Sequence, residues 1–441
     1  MSSNIPESTE VVVIGGGPAG AMAATYLAQA GRDVVVLERS SHPREAVGES
    51  LIPDFWKYLD KAGVTEKIEN AGFVGKAGGM VSWKGQIKLH RFKEFGYDRP
   101  AMHVDRPQFD KILFDHATET GAQTFEHVSV TGAAFDVDDE GLEHATVSYT
   151  TEDGAGQIRC RYAIDATGQN AVLGRQLGLK EIDEVFRAFS LWGYYEGANF
   201  LDYDGKAHRF EERFDVAPVT YVSSLEEGSD SGWSWHITLQ EKTSVGLVIP
   251  QTHVKDARQN GETWEQFFDR RAREIPVLGD LLEPATLIPG STSTIRDYSF
   301  QSREIAGPGW FLIGDAAGFV DPIFSVGVVM ALYSAGAVAW AVDEMLKRPD
   351  RAARLRDLFI TQVRGRLEVA RSLALPQYRS EGAVSDMAKS AIQLERNDVK
   401  ELMFAVSSLT SRTENWDEMI GGERPDTQGR LHILDELDLT V

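Results

Sequence analysis

A glycine-rich turn between a short apolar strand and a helix constrains the fold of this chain more than any other feature of its sequence. The run Gly15-Gly16-Gly17-Pro18-Ala19-Gly20 follows the β-branched segment 11–14 and precedes the alanine-rich segment 21–30. This is the strand, turn and helix order of the G-x-G-x-x-G dinucleotide fingerprint. The first glycine permits the turn, the second lets a pyrophosphate approach the backbone, and the third permits close helix packing. The pattern predicts dinucleotide contacts at Gly15, Gly17, Ala19 and Gly20.

The second apolar strand of this unit, 34–37, ends at Glu38 and Arg39. An acid about 20 residues after the first glycine binds a ribose hydroxyl in such units. We therefore predict that Glu38 and Arg39 belong to the nucleotide site. The fingerprint alone does not distinguish FAD from NAD, and a glycine turn without a ligand is the remaining alternative.

Composition limits the functions that this unit can serve. The 441 residues are 42% hydrophobic, which predicts a globular protein with a sizeable core, and the net charge of −22 argues against nucleic acid and anionic membranes as partners. The single cysteine, Cys160, excludes an intrachain disulfide or dithiol pair, so redox chemistry requires a cofactor. The polar N-terminus lacks a signal pattern, and the apolar stretch 328–342 is short for a bilayer span, so we expect a cytoplasmic protein with a buried helix there.

Two common kinds of catalytic motif are missing from the sequence. No H-E-x-x-H or comparable ligand cluster occurs among the ten histidines, so we predict no metal site. No G-x-S-x-G elbow occurs either, which argues against a hydrolase.

Another apolar strand much later in the chain ends in Gly-Asp, in the run Phe311-Leu312-Ile313-Gly314-Asp315. This turn resembles the FAD motif of the flavoprotein hydroxylase superfamily, in which the aspartate holds the ribityl chain. The segments Asp165-Ala166-Thr167-Gly168 and Asp105-Arg106 resemble two further motifs of that superfamily. The resemblance implies FAD as cofactor with Asp315 and Arg106 among its ligands, and NAD alone is the alternative.

A pair of tryptophans indicates one particular family within this superfamily. The run Gly232-Trp233-Ser234-Trp235-His236-Ile237 resembles the W-x-W-x-I-P signature of flavin-dependent halogenases up to its last position, where Thr238 replaces proline. Side chains at alternate strand positions point to one face. The family reading is that the two indoles separate flavin from substrate, so the resemblance assigns this partition to Trp233 and Trp235. Two core-facing aromatic residues are the alternative interpretation.

The run Phe319-Val320-Asp321-Pro322-Ile323-Phe324-Ser325-Val326-Gly327 fits the halogenase pattern F-x-x-P-x-x-S-x-G at every specified position. Such a loop before a helix exposes backbone N–H groups, which suit a chloride or bromide ion beside the flavin. The resemblance places the halide at Ser325, Val326 and Gly327, and the flavin against Pro322 and Gly327. A helix-capping loop without halide is the alternative.

The segment Gly75-Lys76-Ala77-Gly78-Gly79, downstream of Gly48-Glu49-Ser50, resembles the part of the halogenases that carries their essential lysine. Its setting is apolar, and a lysine is rarely buried without a reason. The resemblance implies that Lys76 is catalytic and that Glu49 and Ser50 contact the cofactor. A surface lysine is the alternative.

The resemblance also implies an activity. Reduced FAD (FADH2), oxygen and halide would produce hypohalous acid, which passes to Lys76 and halogenates an electron-rich pyrrole or phenol, free or tethered to an acyl or peptidyl carrier protein. Because no second dinucleotide fingerprint is present, a separate flavin reductase would supply FADH2. Tryptophan halogenases have a glutamate where this chain has Phe324, which argues against free tryptophan. The arginines between Lys347 and Arg371 would dock a carrier protein or simply form a solvated helix face.

Other flavoprotein functions remain open from sequence. An FAD-dependent aromatic hydroxylase shares the cofactor motifs and differs by ignoring halide. A reductase of isoprenoid chains and a flavin-binding protein without turnover are weaker alternatives, the latter suggested by Thr238.

The expected fold class is α/β. We predict a Rossmann-like FAD-binding domain from 5–45, 100–185 and 295–345, a mixed β-sheet substrate domain from 46–99 and 186–294, and a C-terminal helical region over 346–441.

Overall fold

The computed structural model describes residues 5–83, 86–95, 97–226, 232–250, 254 and 261–378. Most of the predicted C-terminal helical region, 379–441, lies outside the described residues. The α-helices of the described ranges are α1 (Pro18–Gln29), α2 (Phe55–Ala62), α3 (Thr65–Glu69), α4 (Arg106–Thr120), α5 (Val172–Gln176), α6 (Trp264–Glu274), α7 (Pro276–Leu282), α8 (Gly327–Lys347) and α9 (Ala352–Tyr378).

Strands alternate with these helices and give the predicted mixed α/β class. In chain order they are β1 (Val11–Ile14), β2 (Val34–Leu37), β3 (Val74–Lys76), β4 (Gly78–Trp83), β5 (Gln86–Arg91), β6 (Ala101–His103), β7 (Gln123–Phe125), β8 (Ser129–Val137), β9 (Glu143–Thr151), β10 (Gly154–Cys160), β11 (Tyr162–Asp165), β12 (Lys180–Ile182), β13 (Ala188–Glu196), β14 (Phe200–Leu201), β15 (Ala207–His208), β16 (Val219–Ser224), β17 (Trp233–Thr238), β18 (Thr243–Pro250), β19 (Thr286–Leu287), β20 (Ser293–Arg296), β21 (Phe300–Ser302), β22 (Ala306–Gly307), β23 (Trp310–Leu312) and β24 (Gly318–Phe319).

A six-stranded sheet in the order β22-β23-β11-β1-β2-β7 forms the first layer. From β23 to β7 the neighbouring strands are parallel. Strands β1 and β2 are uniformly apolar and buried at every position, because helices cover a parallel sheet on both faces. The predicted strands 11–14 and 34–37 are confirmed. Helix α1 begins at Pro18, since proline is well suited to the first helical position.

An eight-stranded sheet forms the second layer, in the order β19-β13-β18-β17-β16-β4-β5 with β20 also paired to β13. One face packs on helices α6 and α7 through a cluster that includes Leu247, Phe268 and Leu278. The other face carries Trp233 and Trp235 and looks toward the loop before α8. One face of this sheet therefore packs against helices, and the opposite face lines the site.

Smaller sheets complete the fold, and the predicted domain boundaries stay a prediction. Strands β8, β9 and β10 form an antiparallel sheet, β12, β21 and β24 form another, and the pairs β3 with β6 and β14 with β15 are two-stranded. The β3–β6 pair matters for the site, because its register places Val74 opposite His103 and Lys76 opposite Ala101.

Helix α8 is the predicted buried helix. Among the described residues it alone is long and apolar enough to cross a membrane, but 72% of its apolar 18-residue stretch is buried inside the protein. It packs against α1 and α9, so its apolar character is explained by the core beside the six-stranded sheet.

Candidate active site

A cavity of about 780 Å³ connects the carboxyl edge of the six-stranded sheet with one face of the eight-stranded sheet. Its volume lies within the range of about 300–1,000 Å³ that is usual for cofactor and ligand sites. The wall includes the predicted cofactor residues, listed here together: Gly15, Gly17, Ala19, Glu38, Arg39, Glu49, Ser50, Arg106, Asp315, Pro322 and Gly327. Gly20 is the one predicted cofactor residue absent from the wall.

The glycine turn is shaped by close backbone packing. Gly15 has a φ of +103°, and a Cβ there would lie 2.6 Å from the carbonyl oxygen of Ala166. A Cβ on Gly20 would overlap the carbonyl oxygen of Gly15. Gly17, by contrast, has only the Arg44 guanidinium near its Cβ position, at 3.3 Å. The turn therefore presents its backbone and the N-terminus of α1 to the cavity, as a pyrophosphate site requires.

Glu38 is buried and lies at the carboxyl end of β2. Its carboxylate accepts hydrogen bonds from the backbone N–H of Gly16 at 2.7 Å and of Ser40 at 2.9 Å. Glu38 also lines the cavity, and a carboxylate oxygen can accept a second hydrogen bond, such as one from a ribose hydroxyl. Glu38 thus holds the glycine turn in addition to facing the predicted ribose position.

Arg106 begins helix α4, as the sequence predicted. Its guanidinium makes a bidentate pair with Asp110, one turn along the helix, with Nε to Oδ1 at 2.8 Å and Nη2 to Oδ2 at 3.0 Å. It also donates to the carbonyl oxygen of Val47 at 2.5 Å. These contacts fix the loop 47–50 against α4, so Arg106 orders the wall of the cavity as well as lining it.

Asp315 lies in the 3-10 turn Gly314–Ala316 after β23 and faces the cavity. Gln169 Nε2 donates to its Oδ2 at 3.3 Å. Burial raises the pKa of Asp315 to about 6, and Gln169, Arg106 and Lys180 only partly oppose this effect. A buried carboxylate with few hydrogen-bond donors is energetically unfavourable, and the hydroxyl groups of a ribityl chain would supply such donors. Asp315 therefore fits the predicted ribityl position.

Replacement of Asp315 by asparagine is expected to stabilise the flavin-free protein, and more so at higher pH. Because the pKa of Asp315 is raised in the folded state, the folded chain holds more protons than the unfolded chain between pH about 4 and 6, and stability is lost as the pH rises there. The variant lacks this loss, so its gain in unfolding free energy should reach about 1–2 kcal/mol near pH 7, discounted for the partial exposure of the carboxyl to the cavity. Urea unfolding at pH about 5 and 7 measures the gain.

Asp139→Asn serves as its control, because Asp139 is exposed in a turn. A gain for Asp315→Asn that does not grow with pH would contradict the expectation.

The two tryptophans of β17 lie side by side in the wall between the two layers. Their ring centroids are 5.8 Å apart, and Trp233 and Trp235 are 2% and 6% exposed. Trp235 Nε1 donates to Ser244 Oγ at 3.2 Å, and a Cβ on Gly246 would overlap its ring, so its orientation is fixed. Both rings line the cavity, which is the location that a partition requires.

Thr238, where the halogenase signature has proline, is the last residue of β17 and pairs with Thr243 of β18. Its hydroxyl has no hydrogen-bond partner among the described residues. Its carbonyl oxygen lies 3.1 Å from His103 Nδ1. The departure from the signature leaves the strand and both tryptophans in place.

The loop 319–327 turns tightly before α8. Asp321 accepts from the N–H of Ile323 at 3.0 Å, and Pro322–Phe324 form a 3-10 turn that ends at Ser325 with a φ of +58°. Helix α8 begins at Gly327, so the first N–H groups of the helix have no intrahelical acceptor. Ser325 and Gly327 line the large cavity. The start of α8 therefore leaves N–H groups free beside the cavity, so the halide site at this loop stays a prediction.

Lys76 is 3% exposed and lies at the end of β3. Its Nζ donates to Ser50 Oγ at 2.7 Å and to the carbonyl oxygen of Leu51 at 3.1 Å, and it lies 5.3 Å from the centroid of the Phe92 ring. Ser50 Oγ in turn accepts from Ser325 Oγ at 3.0 Å. Two segments that the sequence separates widely are thus joined by one serine.

A second, smaller cavity of about 30 Å³ lies beside Lys76. Val326, His90 and Phe92 are among its lining residues. It shares four wall residues with the large cavity: Thr220, Val222, Ile323 and Ser325. The wall between the small cavity beside Lys76 and the large cavity therefore includes residues of the loop before α8.

Glu49 precedes Ser50 in the chain and is 1% exposed. Tyr194 Oη donates to its Oε1 at 3.0 Å, and the N–H of Gly48 donates to Oε2 at 3.1 Å. Burial raises the pKa of Glu49 despite these donors. Its role in the structure is to tie loop 47–50 to strand β13.

Sequence reasoning missed several residues of the site. Thr220, His103 and Tyr194 contact Ser50 or Glu49 directly or through one atom, yet each lies in an ordinary strand segment without a motif. The pairing of β3 with β6 and of β4 with β16 brings His103 and Thr220 there, and the pairing of β13 with β18 positions Tyr194. Within the described ranges no group of three or more His, Cys, Asp or Glu side chains could hold a metal ion.

Comparison with known proteins identifies related chains. The family model described as FAD binding domain matches residues 8–357. A tryptophan 2-halogenase of Chondromyces crocatus is 34% identical over 345 residues, which are 78% of this chain and 62% of that protein. A 1H-pyrrole-2-carbonyl-[peptidyl-carrier protein] chlorinase of Pseudomonas fluorescens is 34% identical over 365 residues, 77% of each chain. The match therefore spans less than two thirds of the first of these relatives.

Solved structures extend the similarity to nearly the whole chain. The myxobacterial chondrochloren halogenase has a TM-score of 0.75 and 26% identity, with 95% of each chain covered. A flavin-dependent brominase has a TM-score of 0.72 at 22% identity, covering 97% of this chain and 99% of that chain, which supports the fold alone.

Proposed function

Because the chain belongs to the flavin-dependent halogenases and carries their FAD-binding domain, we propose that it halogenates an electron-rich aromatic ring with reduced FAD, oxygen and chloride or bromide. The observation that carries this proposal is the contact of buried Lys76 with Ser50, which also holds Ser325 of the loop before α8. A buried lysine that shares a serine with the loop before α8 suits the delivery of a halogen to the substrate, whereas ring hydroxylation needs no such lysine.

The residues of the large cavity would hold FAD. The glycine turn and the N-terminus of α1 would bind its pyrophosphate, Glu38 would accept from its ribose, and Asp315 would accept from its ribityl chain. When bound in its reduced form, FAD supplies with oxygen the oxidant that converts halide to hypohalous acid.

Each remaining task falls to side chains or backbone of this chain. The N–H groups at Val326 and Gly327 would bind the halide, because helix N-termini attract anions. Trp233 and Trp235 would exclude substrate and water from the flavin side. Lys76 would receive hypohalous acid from across the shared cavity wall, and either donate a hydrogen bond to it or form a haloamine, so that the halogen is delivered in one position.

For the substrate we propose a pyrrole or phenol, free or tethered to a carrier protein. The chlorinase relative is named for a carrier-bound pyrrole and the other for tryptophan, while Phe324 removes the carboxylate that the tryptophan enzymes have at this position. An acidic carrier would need a basic docking surface on this acidic chain. Arg351 and Arg354 are exposed and form no ion pair with described residues, whereas Arg371 is paired with Asp183.

A flavin reductase is the proposed source of FADH2. The described residues include one G-x-G-x-x-G turn, used by the FAD site, and the sequence has no other. Supply by a nicotinamide-dependent reductase agrees with a cytoplasmic location, which we also propose.

Purified protein with FAD, a flavin reductase, NADH and oxygen is expected to give a halide-dependent product. The substrates to be offered are free pyrroles, free phenols, free tryptophan and carrier-bound pyrroles. Each is incubated with chloride, with bromide and without either. Mass spectrometry should find the isotope pattern of the added halogen. A product mass that increases by one oxygen, with or without halide, would instead identify an aromatic hydroxylase. The tryptophan pair and the serine loop would then reflect common ancestry with the halogenases and not a shared activity.

A further inference from the structure

Buried hydroxyl groups connect Lys76 with a histidine in the interior. Lys76 Nζ lies 2.7 Å from Ser50 Oγ, which is 2.8 Å from Thr220 Oγ1, which is 2.8 Å from His103 Nε2. All four side chains are buried, and His103 is completely so. Neither Thr220 nor His103 lies in any of the flavoprotein or halogenase motifs.

The direction of these hydrogen bonds follows from the far end of the series. His103 Nδ1 lies 3.1 Å from the carbonyl oxygen of Thr238, which can only accept, so Nδ1 carries the proton and the neutral ring accepts at Nε2. Thr220 therefore donates to His103 and accepts from Ser50. Ser50 accepts from both Lys76 and Ser325. Every hydrogen bond between Lys76 and His103 is thus oriented from the lysine toward the histidine.

We propose that Ser50 and Thr220 conduct a proton from Lys76 to His103, and that His103 holds this proton while Lys76 exists as a haloamine. This inference rests on the proposed function and deepens it, by naming the group that makes the Lys76 amine reactive. Ser50, Thr220 and His103 act through Lys76 and are positioning residues.

Protons and electrons balance in this scheme. One Nζ–H bond of the Lys76 ammonium breaks as the proton moves to Ser50 Oγ, the hydroxyl proton of Ser50 moves to Thr220, and that of Thr220 moves to His103 Nε2. The neutral amine then attacks the halogen of hypohalous acid, an N–halogen bond forms, the O–halogen bond breaks, and water leaves with one amine proton. On transfer to the ring the N–halogen electron pair stays on nitrogen, which takes the ring proton. His103 finally returns its proton, and Lys76 is again an ammonium.

The surroundings of His103 disfavour its protonation while Lys76 is charged. Its titratable neighbours are Lys76 on β3 and His236 on β17, whereas the Glu49 carboxylate is turned toward Tyr194 and Gly48. Burial lowers the pKa of His103 well below its usual value, and the Lys76 ammonium lowers it further. Once Lys76 has given up its proton this repulsion disappears while the burial penalty remains, so His103 holds the proton only transiently and returns it when the Lys76 amine is free again.

The test uses full-length, flavin-free protein and hypochlorous acid alone as the probe, so it needs neither halide oxidation nor a substrate. Formation of a chloramine requires a neutral amine. Peptide mass spectrometry should measure chlorination of Lys76 near pH about 7, relative to Lys57 in the same sample. In Thr220→Val, which keeps the shape but removes the hydroxyl, we expect the Lys76 to Lys57 ratio to fall about tenfold, because the amine cannot lose its proton inside the protein.

Two matched variants separate the hydroxyl from its shape. Thr220→Ser restores the hydroxyl and should restore the ratio to within about twofold of wild type. Thr243→Val makes the same change at another buried threonine, whose hydroxyl has no partner among the described residues, and should leave the ratio unchanged. Wild-type chlorination in Thr220→Val, or slow chlorination in Thr220→Ser, would overturn the relay.

A second measurement covers the case in which Thr220→Val does not fold. Nitrogen NMR of flavin-free wild-type protein labelled in histidine should find His103 protonated at Nδ1 and unprotonated at Nε2, and the opposite tautomer would overturn the proposal. The proposed function fails separately, as the lack of any halide-dependent product from the complete wild-type system.

Discussion

In Lys76→Ala, halogenated product is expected to fall by about two orders of magnitude or more, the range in which a positioned catalytic group contributes, while oxidation of reduced FAD continues near the wild-type rate. The reason is spatial. Lys76 lies on β3 behind the wall that carries Ser325, and it lines the small cavity without appearing in the lining of the large one. Its removal therefore leaves the glycine turn, Glu38 and Asp315 unchanged. Product by mass spectrometry and flavin oxidation by absorbance are measured in the same reaction.

Lys57→Ala is the matched control for this prediction. Lys57 is a second poorly exposed lysine, paired with Asp54 at 3.2 Å on α2, and burial lowers its pKa to about 8. It does not line either cavity. The control should keep both product and flavin oxidation. If Lys76→Ala lost both together, the lysine would be a structural part of the flavin site and its proposed catalytic role would be wrong.

Gly20→Ala is expected to weaken FAD binding by at least about 100-fold, the equivalent of roughly 2.7 kcal/mol. A Cβ at this position overlaps the Gly15 carbonyl oxygen and lies 3.2 Å from the Ala166 Cβ. The backbone cannot rotate away, because Ala21 and its neighbours in α1 are fully buried. Helix α1 must shift outward, which moves its N-terminus from the pyrophosphate position, and overpacking of this kind costs about 1–3 kcal/mol by itself. Fluorescence titration of the flavin-free protein with FAD measures the affinity.

Gly365→Ala provides a control with the same added methyl group. Gly365 is exposed in helix α9, and its Cβ would meet nothing within 4 Å. This variant should bind FAD as wild type does and gain about 0.5–1 kcal/mol in stability, since alanine is the better helix former. Wild-type FAD affinity in Gly20→Ala would mean that the turn does not carry the pyrophosphate.

Local sequence was sufficient to predict an element and its site residues wherever one short segment contains both the structural pattern and the chemical motif. Strands β1 and β2 have the predicted boundaries, because runs of valine without alternation are stable only when buried on both faces. The glycine turn, Arg106 at the start of α4 and Asp315 after β23 are each set by the few residues around them. The glycine turn and Asp315 lie at the large cavity because sites form at the carboxyl ends of parallel strands, whereas Arg106 follows β6, which pairs antiparallel with β3.

Tertiary structure alone decided how these segments meet. The sequence indicated Lys76 and Ser325 separately, but their link through Ser50 depends on the docking of the β3–β6 pair and of loop 47–50 against β16. Thr220 and His103 carry no local signal, because a threonine or histidine in a buried strand has the same sequence context whether or not it meets a lysine. Contacts between residues far apart in the chain depend on the register of sheets, and register is a property of the assembled layers rather than of any one strand.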